Sequence, residues 1–205
     1  MQNNTITGLL NRPSASWLRS LAAFALTTLL AVPGLSAAVI DIGNGAQTYH
    51  FVLESPNIGV RQYAVHLDGA TDAYDLIYAV SAEDAAISMS ITNWGSPTQP
   101  NYFVNSITYN GVTEANTTSS PWVPSWGHWV SGGQAGYPTA SPVVSGTWSS
   151  GSGISSPYRL VELGSWDALV YGDSTTQPSV VPVPEPSVAL LLGAGLLAIA
   201  RRRRV

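Results

Sequence analysis

Two apolar segments, one near each end of the chain, limit any globular domain to the residues between them. The first, Leu21–Val32, has 12 residues and the second, Ser187–Ala200, has 14, and neither contains a charged side chain. With the residues that flank them, both segments are typical of export or membrane signals rather than of a folded core. The 148 residues from 39 to 186 remain, which is enough for one domain with one hydrophobic core.

The first apolar segment has the layout of a secretory signal peptide. Arg12 and Arg19 place positive charge before it, and its length lies within the range of about 7–15 residues for a signal-peptide core, too short to span a bilayer. Ala37 and Ala38 have the small side chains that signal peptidase accepts, so we predict cleavage after Ala38, with cleavage after Ala37 as the alternative. Residues 1–38 are therefore predicted to be a signal peptide for the Sec translocon, because no Arg-Arg pair for twin-arginine export precedes the apolar run.

The second apolar segment is the middle part of a three-part tail. Residues 174–186 contain four prolines in thirteen positions, so they cannot form a helix or an inner strand and are predicted to be an extended spacer of the polyproline type. Residues 187–200, as a helix, would span about 21 Å of a hydrocarbon core of about 30 Å. Residues 201–205 should stay on the cytoplasmic side and leave the domain outside; their four basic side chains are Arg201, Arg202, Arg203 and Arg204.

This tail contains a short motif made of Val183, Pro184, Glu185, Pro186 and Ser187, followed by the apolar helix and the arginines. In that order the three parts resemble the PEP-CTERM sorting signal. The resemblance implies an exopolysaccharide-producing Gram-negative bacterium, in which a membrane-embedded exosortase recognises the motif and cleaves near it. It also implies an inner-membrane-anchored precursor with a transient transmembrane helix, and a mature form at the cell surface or outside the cell. A retained, tail-anchored membrane protein is the alternative.

The charge distribution excludes one class of partner for the domain. All twelve acidic residues lie between Asp41 and Glu185, where Arg61 and Arg159 are the only two cations, so this part of the chain has a net charge of −10. Such a surface repels phosphate backbones, which excludes nucleic-acid binding. The chain has no Cys, so the core must stabilise an exported domain without disulfides.

The hydrophobic pattern between the two signals is mainly that of strands. The candidate strands are Gln47–Glu54, Val60–Leu67, Ile87–Ile91, Tyr102–Tyr109, Gly127–Ser131, Pro142–Trp148 and Ser165–Tyr171. Asn110-Gly111, after the fourth of these, is a strong turn signal. Residues 39–173 are therefore predicted to form one exported α+β domain with a mainly antiparallel sheet, and an all-β sandwich is the alternative.

One short amphipathic helix is also predicted. Asp72 can cap its N-terminus, with Asp75 as the capping-box partner three residues on. An apolar stripe at positions i, i+3, i+4 and i+7 follows the cap: Ala73, Leu76, Ile77 and Val80. We expect this helix to lie across one face of the sheet.

The order of these elements resembles the β-grasp-like domain at the C-terminus of transcobalamin, which contacts cobalamin. The matching stretches are Thr71–Val80, Tyr102–Gly111, Trp126–Gly133 and Leu160–Tyr171. The chain departs from that pattern at Ser131-Gly132, where the family commonly has Asn-Gly, and at the Ser/Gly-rich insertion 139–157. We therefore carry over the fold expectation and no cobalamin function, and we predict no cofactor.

Patterns for catalysis and metal binding are weak. The chain has no G-x-S-x-G, H-E-x-x-H, phosphate-loop or dinucleotide motif. The candidate general bases are the three histidines His50, His66 and His128, but nothing singles out one Ser as their partner. Three aspartates offer oxygen ligands but lack the spacing of a calcium loop: Asp68, Asp72 and Asp75. We therefore predict a protein that is not an enzyme and has no catalytic, cofactor-binding or metal site.

The best candidate for ligand recognition is the aromatic segment 121–137. Its large rings lie among Pro and Gly residues, and they belong to Trp122, Trp126, Trp129 and Tyr137. Flat aromatic faces suit sugar rings or another protein, but core packing is the favoured explanation, because a β domain with few Phe must use Trp and Tyr in its interior. Two hypotheses follow for the domain. It is a carbohydrate-binding module that uses this segment, with exopolysaccharide as the partner, or it is a passive structural component of the cell surface or extracellular matrix.

Overall fold

The computed structural model describes residues 38–183, in which twelve strands and one helix occur. They are β1 (Val39–Gly43), β2 (Gln47–Ser55), β3 (Gly59–Leu67), α1 (Ala73–Glu83), β4 (Ile87–Asn93), β5 (Tyr102–Tyr109), β6 (Val112–Ala115), β7 (Ser125–Ser131), β8 (Gln134–Ala135), β9 (Ser141–Pro142), β10 (Ser149–Ser150), β11 (Arg159–Leu160) and β12 (Trp166–Gly172). Most of the predicted signal peptide, the predicted membrane helix and the terminal arginines lie outside the described residues. Between residues 38 and 183, no helix has the length and apolar character needed to cross a bilayer.

The largest sheet has six strands in the order β1-β3-β2-β12-β7-β10. The hairpin β2–β3 and the pairs β12–β7 and β7–β10 are antiparallel. The pairs β1–β3 and β2–β12 are parallel, so the first and last long strands meet at the centre of the sheet. The mainly antiparallel character was predicted correctly, whereas the two parallel pairs were not predicted, because residue periodicity carries no information about strand direction.

Two three-stranded antiparallel sheets, β4-β5-β6 and β11-β8-β9, complete the domain. The turn between β5 and β6 is the predicted Asn110-Gly111, and both residues have positive φ, at 49° and 82°. This conformation is the reason for Asn and Gly at a two-residue hairpin turn. The strand predicted over 142–148 is wrong, because residues 143–148 form a turn between the short strands β9 and β10.

Helix α1 forms as predicted. The Asp72 side chain accepts a hydrogen bond from the Asp75 backbone N–H, and the Asp75 side chain accepts one from the Asp72 backbone N–H, so the capping box is complete. The residues that the helix buries are Ala73, Leu76, Ile77, Ala79 and Val80. The local pattern was therefore sufficient to define both the start and the buried stripe of this helix.

The six-stranded sheet buries side chains on both faces. On its inner face, Phe51, Leu53 and Leu169 join the buried stripe of α1 and residues of β4 and β5 in the main core. Because α1 packs into this core, the domain is α+β and the all-β sandwich alternative is wrong. On its outer face a second cluster is formed by Val52, Trp129, Trp166, Ala168 and Val170, with Val60, Trp148 and Val180 packed at its edge.

Candidate functional site

The structure separates the four aromatic residues of segment 121–137. Trp122 lies on the loop before β7 with 61% of its surface exposed and with φ 63°. Tyr137 is 70% exposed, and its ring centroid lies 5.4 Å from that of Tyr158. These two side chains are accessible to a ligand, and each belongs to a different loop.

Trp126 and Trp129 are both on β7 and point to opposite faces of the sheet, as residues three positions apart in a strand must. Trp126 packs at the edge of the main core, 5.2 Å from the ring of Tyr171, and its Nε1 donates to the Glu114 carbonyl oxygen at 3.0 Å. Trp129 is buried in the outer-face cluster. The segment is thus partly surface and partly core.

A cavity of about 270 Å³ opens beside β7 and contains part of this segment. Three of its aromatic lining residues are Trp126, Tyr102 and Phe103, and Phe103 is 45% exposed. Serine and glycine residues of 150–153, with Asp173 and Ser174, complete much of the wall. The cavity therefore combines ring faces with hydroxyl and backbone groups and the carboxylate of Asp173.

Behind the cavity lies a buried charged cluster formed by Arg159, Asp167 and His128. Arg159 Nη2 lies 2.7 Å from Asp167 Oδ2, and Arg159 Nε donates to Asp167 Oδ1 at 2.8 Å. His128 Nε2 lies 2.8 Å from the same Oδ1 atom. The side chains of Arg159 and Asp167 are 0% and 1% exposed, so this ion pair is removed from water.

Arg159 also binds the backbone around the turn after β7. Its Nη1 donates to the Gly132 carbonyl oxygen at 2.7 Å, and weaker hydrogen bonds reach the carbonyl oxygens of Gln134, Leu160 and Trp166. Burial alone would raise the pKa of Asp167, but the Arg159 charge and the hydrogen bonds from His128 and Arg159 outweigh it and lower that pKa. The cluster joins β7, β8, β11 and β12 into one unit.

His128 lines the cavity, and its ring is held in this cluster. Its Nε2 is occupied by Asp167, and its Nδ1 is buried without a hydrogen-bond partner. A Cβ atom on Gly151 would lie only 2.3 Å from that Nδ1, so the glycine backbone packs directly on the ring. A general base needs a nitrogen within hydrogen-bond reach of a substrate proton, and neither ring nitrogen of His128 offers one.

The other histidines and aspartates considered in the sequence have local partners. His66 lies 3.1 Å from both Asp41 Oδ1 and Thr48 Oγ1, and the His50 ring stacks 4.3 Å from that of Trp166. Asp68 Oδ1 accepts from the Ala46 backbone N–H, and the other two aspartates form the capping box of α1. Each of these side chains therefore has a structural contact that accounts for its position.

Sequence reasoning missed the Arg159 cluster, although one signal pointed to it. Arg159 is one of two cations in a region with twelve acidic residues and no Lys. An Arg in such a region either lies at the surface or forms an ion pair with a specific carboxylate. Because acidic residues greatly outnumber cations here, an ion pair is the expectation that the sequence could have offered. The other cation, Arg61, lies 4.6 Å above the ring of Tyr109.

The described chain ends in a segment that packs on the outer face, which we call the strap (residues 178–182). Val180 packs at the outer-face cluster, and its carbonyl oxygen accepts a hydrogen bond from Trp148 Nε1 at 2.6 Å. The Ser179 backbone N–H donates to Glu54 Oε2 at 2.7 Å. Pro178 and Pro182 are buried. The described part of the spacer predicted over 174–186 is thus non-helical, as expected, and residues 178–182 of it lie against the domain.

Comparison with known proteins identifies the C-terminal end of the chain. Residues 182–204 match the model of the PEP-CTERM protein-sorting motif. No curated protein and no solved structure matches the chain. The match confirms the resemblance found in the sequence, and this motif implies an exported protein that is sorted through an exosortase.

Proposed function

We propose that this chain is an exported cell-surface or matrix protein whose domain is a non-enzymatic binding or structural module. The observation that carries the proposal is the position of the sorting motif, whose matched stretch begins at residue 182, beyond β12, the last strand described. Signal peptidase would remove residues 1–38, and exosortase would act near Pro184–Pro186. The terminal arginines would hold the precursor in the inner membrane with the domain outside until that step.

The proposal is tested by the mass of the protein outside the producing cells. Native protein should appear there without its tail, whereas Glu185→Ala should leave an unprocessed precursor in the membrane fraction. Glu162→Ala is the matched control, because Glu162 is an exposed carboxylate within the domain and its loss should leave processing unchanged. Intact-mass analysis of the extracellular and membrane fractions reads both results. Extracellular native protein that still contains residues 187–205 would overturn the proposal.

The topology supports a β-grasp-like domain. A hairpin, β2–β3, precedes α1, and the last strand, β12, pairs in parallel with β2 at the centre of the sheet. The helix then packs on the inner face of that mixed sheet. This arrangement fits the resemblance noted in the sequence, and it brings no cobalamin function with it.

The absence of an enzyme activity is supported by how the cluster behind the cavity is used. All the strong acceptor positions of Asp167 receive donors from Arg159 and His128. Serine residues and His128 line the cavity, and the His128 ring is held by Asp167 at Nε2 and packed against the Gly151 backbone at Nδ1. Such an arrangement is typical of a structural ion-pair network and makes His128 a poor partner for activating a hydroxyl group.

A carbohydrate-binding module remains a second candidate, and the cavity beside β7 favours it. Ring faces from Trp126 and Phe103 stand beside serine hydroxyl groups and the Asp173 carboxylate, and sugars bind to this combination through stacking and hydrogen bonds. The volume of about 270 Å³ lies just below the range of ligand pockets, which starts at about 300 Å³. It therefore suits one sugar ring or a chain end. The net negative charge of the domain favours a neutral glycan over an acidic one.

Two single substitutions test whether a glycan binds in the cavity or on the exposed loop that contains Trp122. Phe103→Ala removes an accessible ring from the cavity wall, and Trp122→Ala removes an accessible ring outside it. Binding of the mature protein to the producer's purified exopolysaccharide is measured by depletion from solution. A loss confined to Phe103→Ala supports the cavity, and a loss confined to Trp122→Ala supports the loop. Native protein that does not bind would reject this candidate and favour the structural role.

A further inference from the structure

The strap joins two parts of the molecule that the sequence presents as independent, the domain and the sorting motif. Its backbone is held by two side chains of the domain, through Trp148 Nε1 to the Val180 carbonyl oxygen and through Glu54 Oε2 from the Ser179 N–H. Its side chains alternate between the domain and solvent. Val180 packs at the outer-face cluster, whereas Val181 and Val183 are 71% and 63% exposed.

This docking continues into the motif itself. Pro182 is the first residue of the stretch that matches the sorting motif, and it is buried. The docked strap and the matched stretch therefore overlap at this residue.

An enzyme that cleaves a peptide acts on chain that can enter its active site, and a segment packed on a folded domain must first come free. In the docked strap, backbone groups of residues 179 and 180 bind the domain, and Pro182, the first residue of the matched stretch, is buried. Docking on the domain and entry into the exosortase therefore compete for the start of the motif.

We propose that the outer face of the sheet is a binding site for the strap that competes with the exosortase, so that undocking of the strap controls the rate of processing. The inference rests on the proposed sorting function. The strap is bound by few contacts, two hydrogen bonds and the packing of Val180 and two prolines, so it opens without unfolding of the domain. Processing then proceeds from the open form, at a rate proportional to its population.

The test compares two neighbouring substitutions that lie outside the matched motif. Val180→Asp places a carboxylate against the apolar outer-face cluster and should release the strap. Val181→Asp places the same charge one position later, where the side chain is exposed, and should leave the strap docked. Trp148→Phe is the third variant. It removes the hydrogen-bond donor and leaves the strap sequence unchanged, so any effect cannot come from altered recognition by the exosortase.

Two measurements are made on the full-length chain. Pulse-chase labelling in cells that contain the exosortase gives the rate at which the precursor loses its tail. Limited proteolysis of the detergent-solubilised precursor gives the accessibility of residues 174–183. Trp148→Phe should accelerate both by about two- to tenfold, the range expected for one lost hydrogen bond. Val180→Asp should accelerate both at least as much, and Val181→Asp should match native protein.

The proposal is overturned if Val180→Asp and Trp148→Phe expose the strap but are processed no faster than native protein. It is also overturned if the native strap is cleaved by the protease as readily as that of Val180→Asp, because the docked state would then not be populated in the native protein. A native precursor that is never processed is a different result, since it rejects the sorting function itself. If Val180→Asp fails to fold, the Trp148→Phe comparison decides the matter.

Discussion

Replacement of Asp167 by Asn should be among the most destabilising single substitutions in the domain. Every polar partner of this carboxylate is a donor, because Oδ1 receives His128 Nε2 and Arg159 Nε, and Oδ2 receives Arg159 Nη2. Asn has one acceptor oxygen, and its amide group must face one of these donors. The change keeps the side-chain shape and removes the charge that compensates Arg159.

The magnitude follows from burial. Arg159 is 0% exposed and Asp167 is 1% exposed, so the substitution leaves a buried cation without its counter-ion. Breaking a buried pair in this way costs about 3–5 kcal/mol, a large part of the roughly 5–15 kcal/mol that stabilises a domain. For a domain near 150 residues this predicts a melting temperature lower by about 6–20 °C. Asp41→Asn is the control, because Asp41 is 78% exposed beside His66, and it should cost less than about 1 kcal/mol.

The loss of stability caused by Asp167→Asn should also depend on pH. The pKa of Asp167 is lowered in the folded state, so it lies below the value of about 3.9 for an unfolded Asp. The ionised carboxylate therefore stabilises the fold above about pH 4, and this contribution is lost as the pH falls through the lowered folded-state pKa. The difference in unfolding free energy between native protein and Asp167→Asn should accordingly shrink below about pH 4.

Urea denaturation of the mature protein, followed by Trp fluorescence between pH 3 and pH 7, measures both the free energy of unfolding and its dependence on pH. A loss below about 1 kcal/mol at pH 7, or a loss equal to that of Asp41→Asn, would show that the cluster is not the stabilising ion pair described here. Replacing both charges by Arg159→Met and Asp167→Leu should recover only part of the loss. The backbone carbonyl oxygens that Arg159 binds would remain without a donor.

Three further predictions concern other parts of the domain. Gly151→Ala would place a Cβ atom 2.3 Å from His128 Nδ1 and should cost about 1–3 kcal/mol in a urea titration; an unchanged midpoint would contradict the packing described. Trp94 and Trp122 are 74% and 61% exposed, so changing both to Phe should remove most of the emission that acrylamide quenches, and equal quenching of the variant would contradict that exposure. Asp72→Ala removes the cap of α1 and should cost about 1–2 kcal/mol; a loss within error would mean that the capping box contributes nothing.

Local features were readable from the sequence because the atoms that decide them are close together along the chain. The cap and buried stripe of α1 depend on residues within eight positions of Asp72, and the structure has both. The Asn110-Gly111 turn depends on two residues whose backbone tolerates positive φ. Strand β5 was predicted with its observed limits for the same reason, since its turn signal follows it directly.

Features that join distant parts of the chain were decided only by the tertiary structure. Arg159, Asp167 and His128 meet because β12 pairs with β7 and β11 lies beside β8. The sequence offers no periodicity that reports such pairings. The parallel pairing of β2 with β12 likewise joins residues that are more than a hundred positions apart. The positions of the aromatic residues on β7 could be predicted in part from the sequence, because residues three apart in a strand face opposite sides of the sheet.

The C-terminal end of the protein combines both kinds of information. The sorting motif was recognisable from the sequence because it is defined by residue types in a fixed order along the chain, and that order needs no fold. The docking of residues 178–182 was not recognisable, because proline content predicts an extended chain and does not predict what the chain touches. That contact exists only because β2, β7 and β12 bring Val52, Trp129 and Trp166 together into one apolar face against which Val180 can pack. Burial of apolar surface acts between any residues that the fold brings together, whatever their separation in sequence.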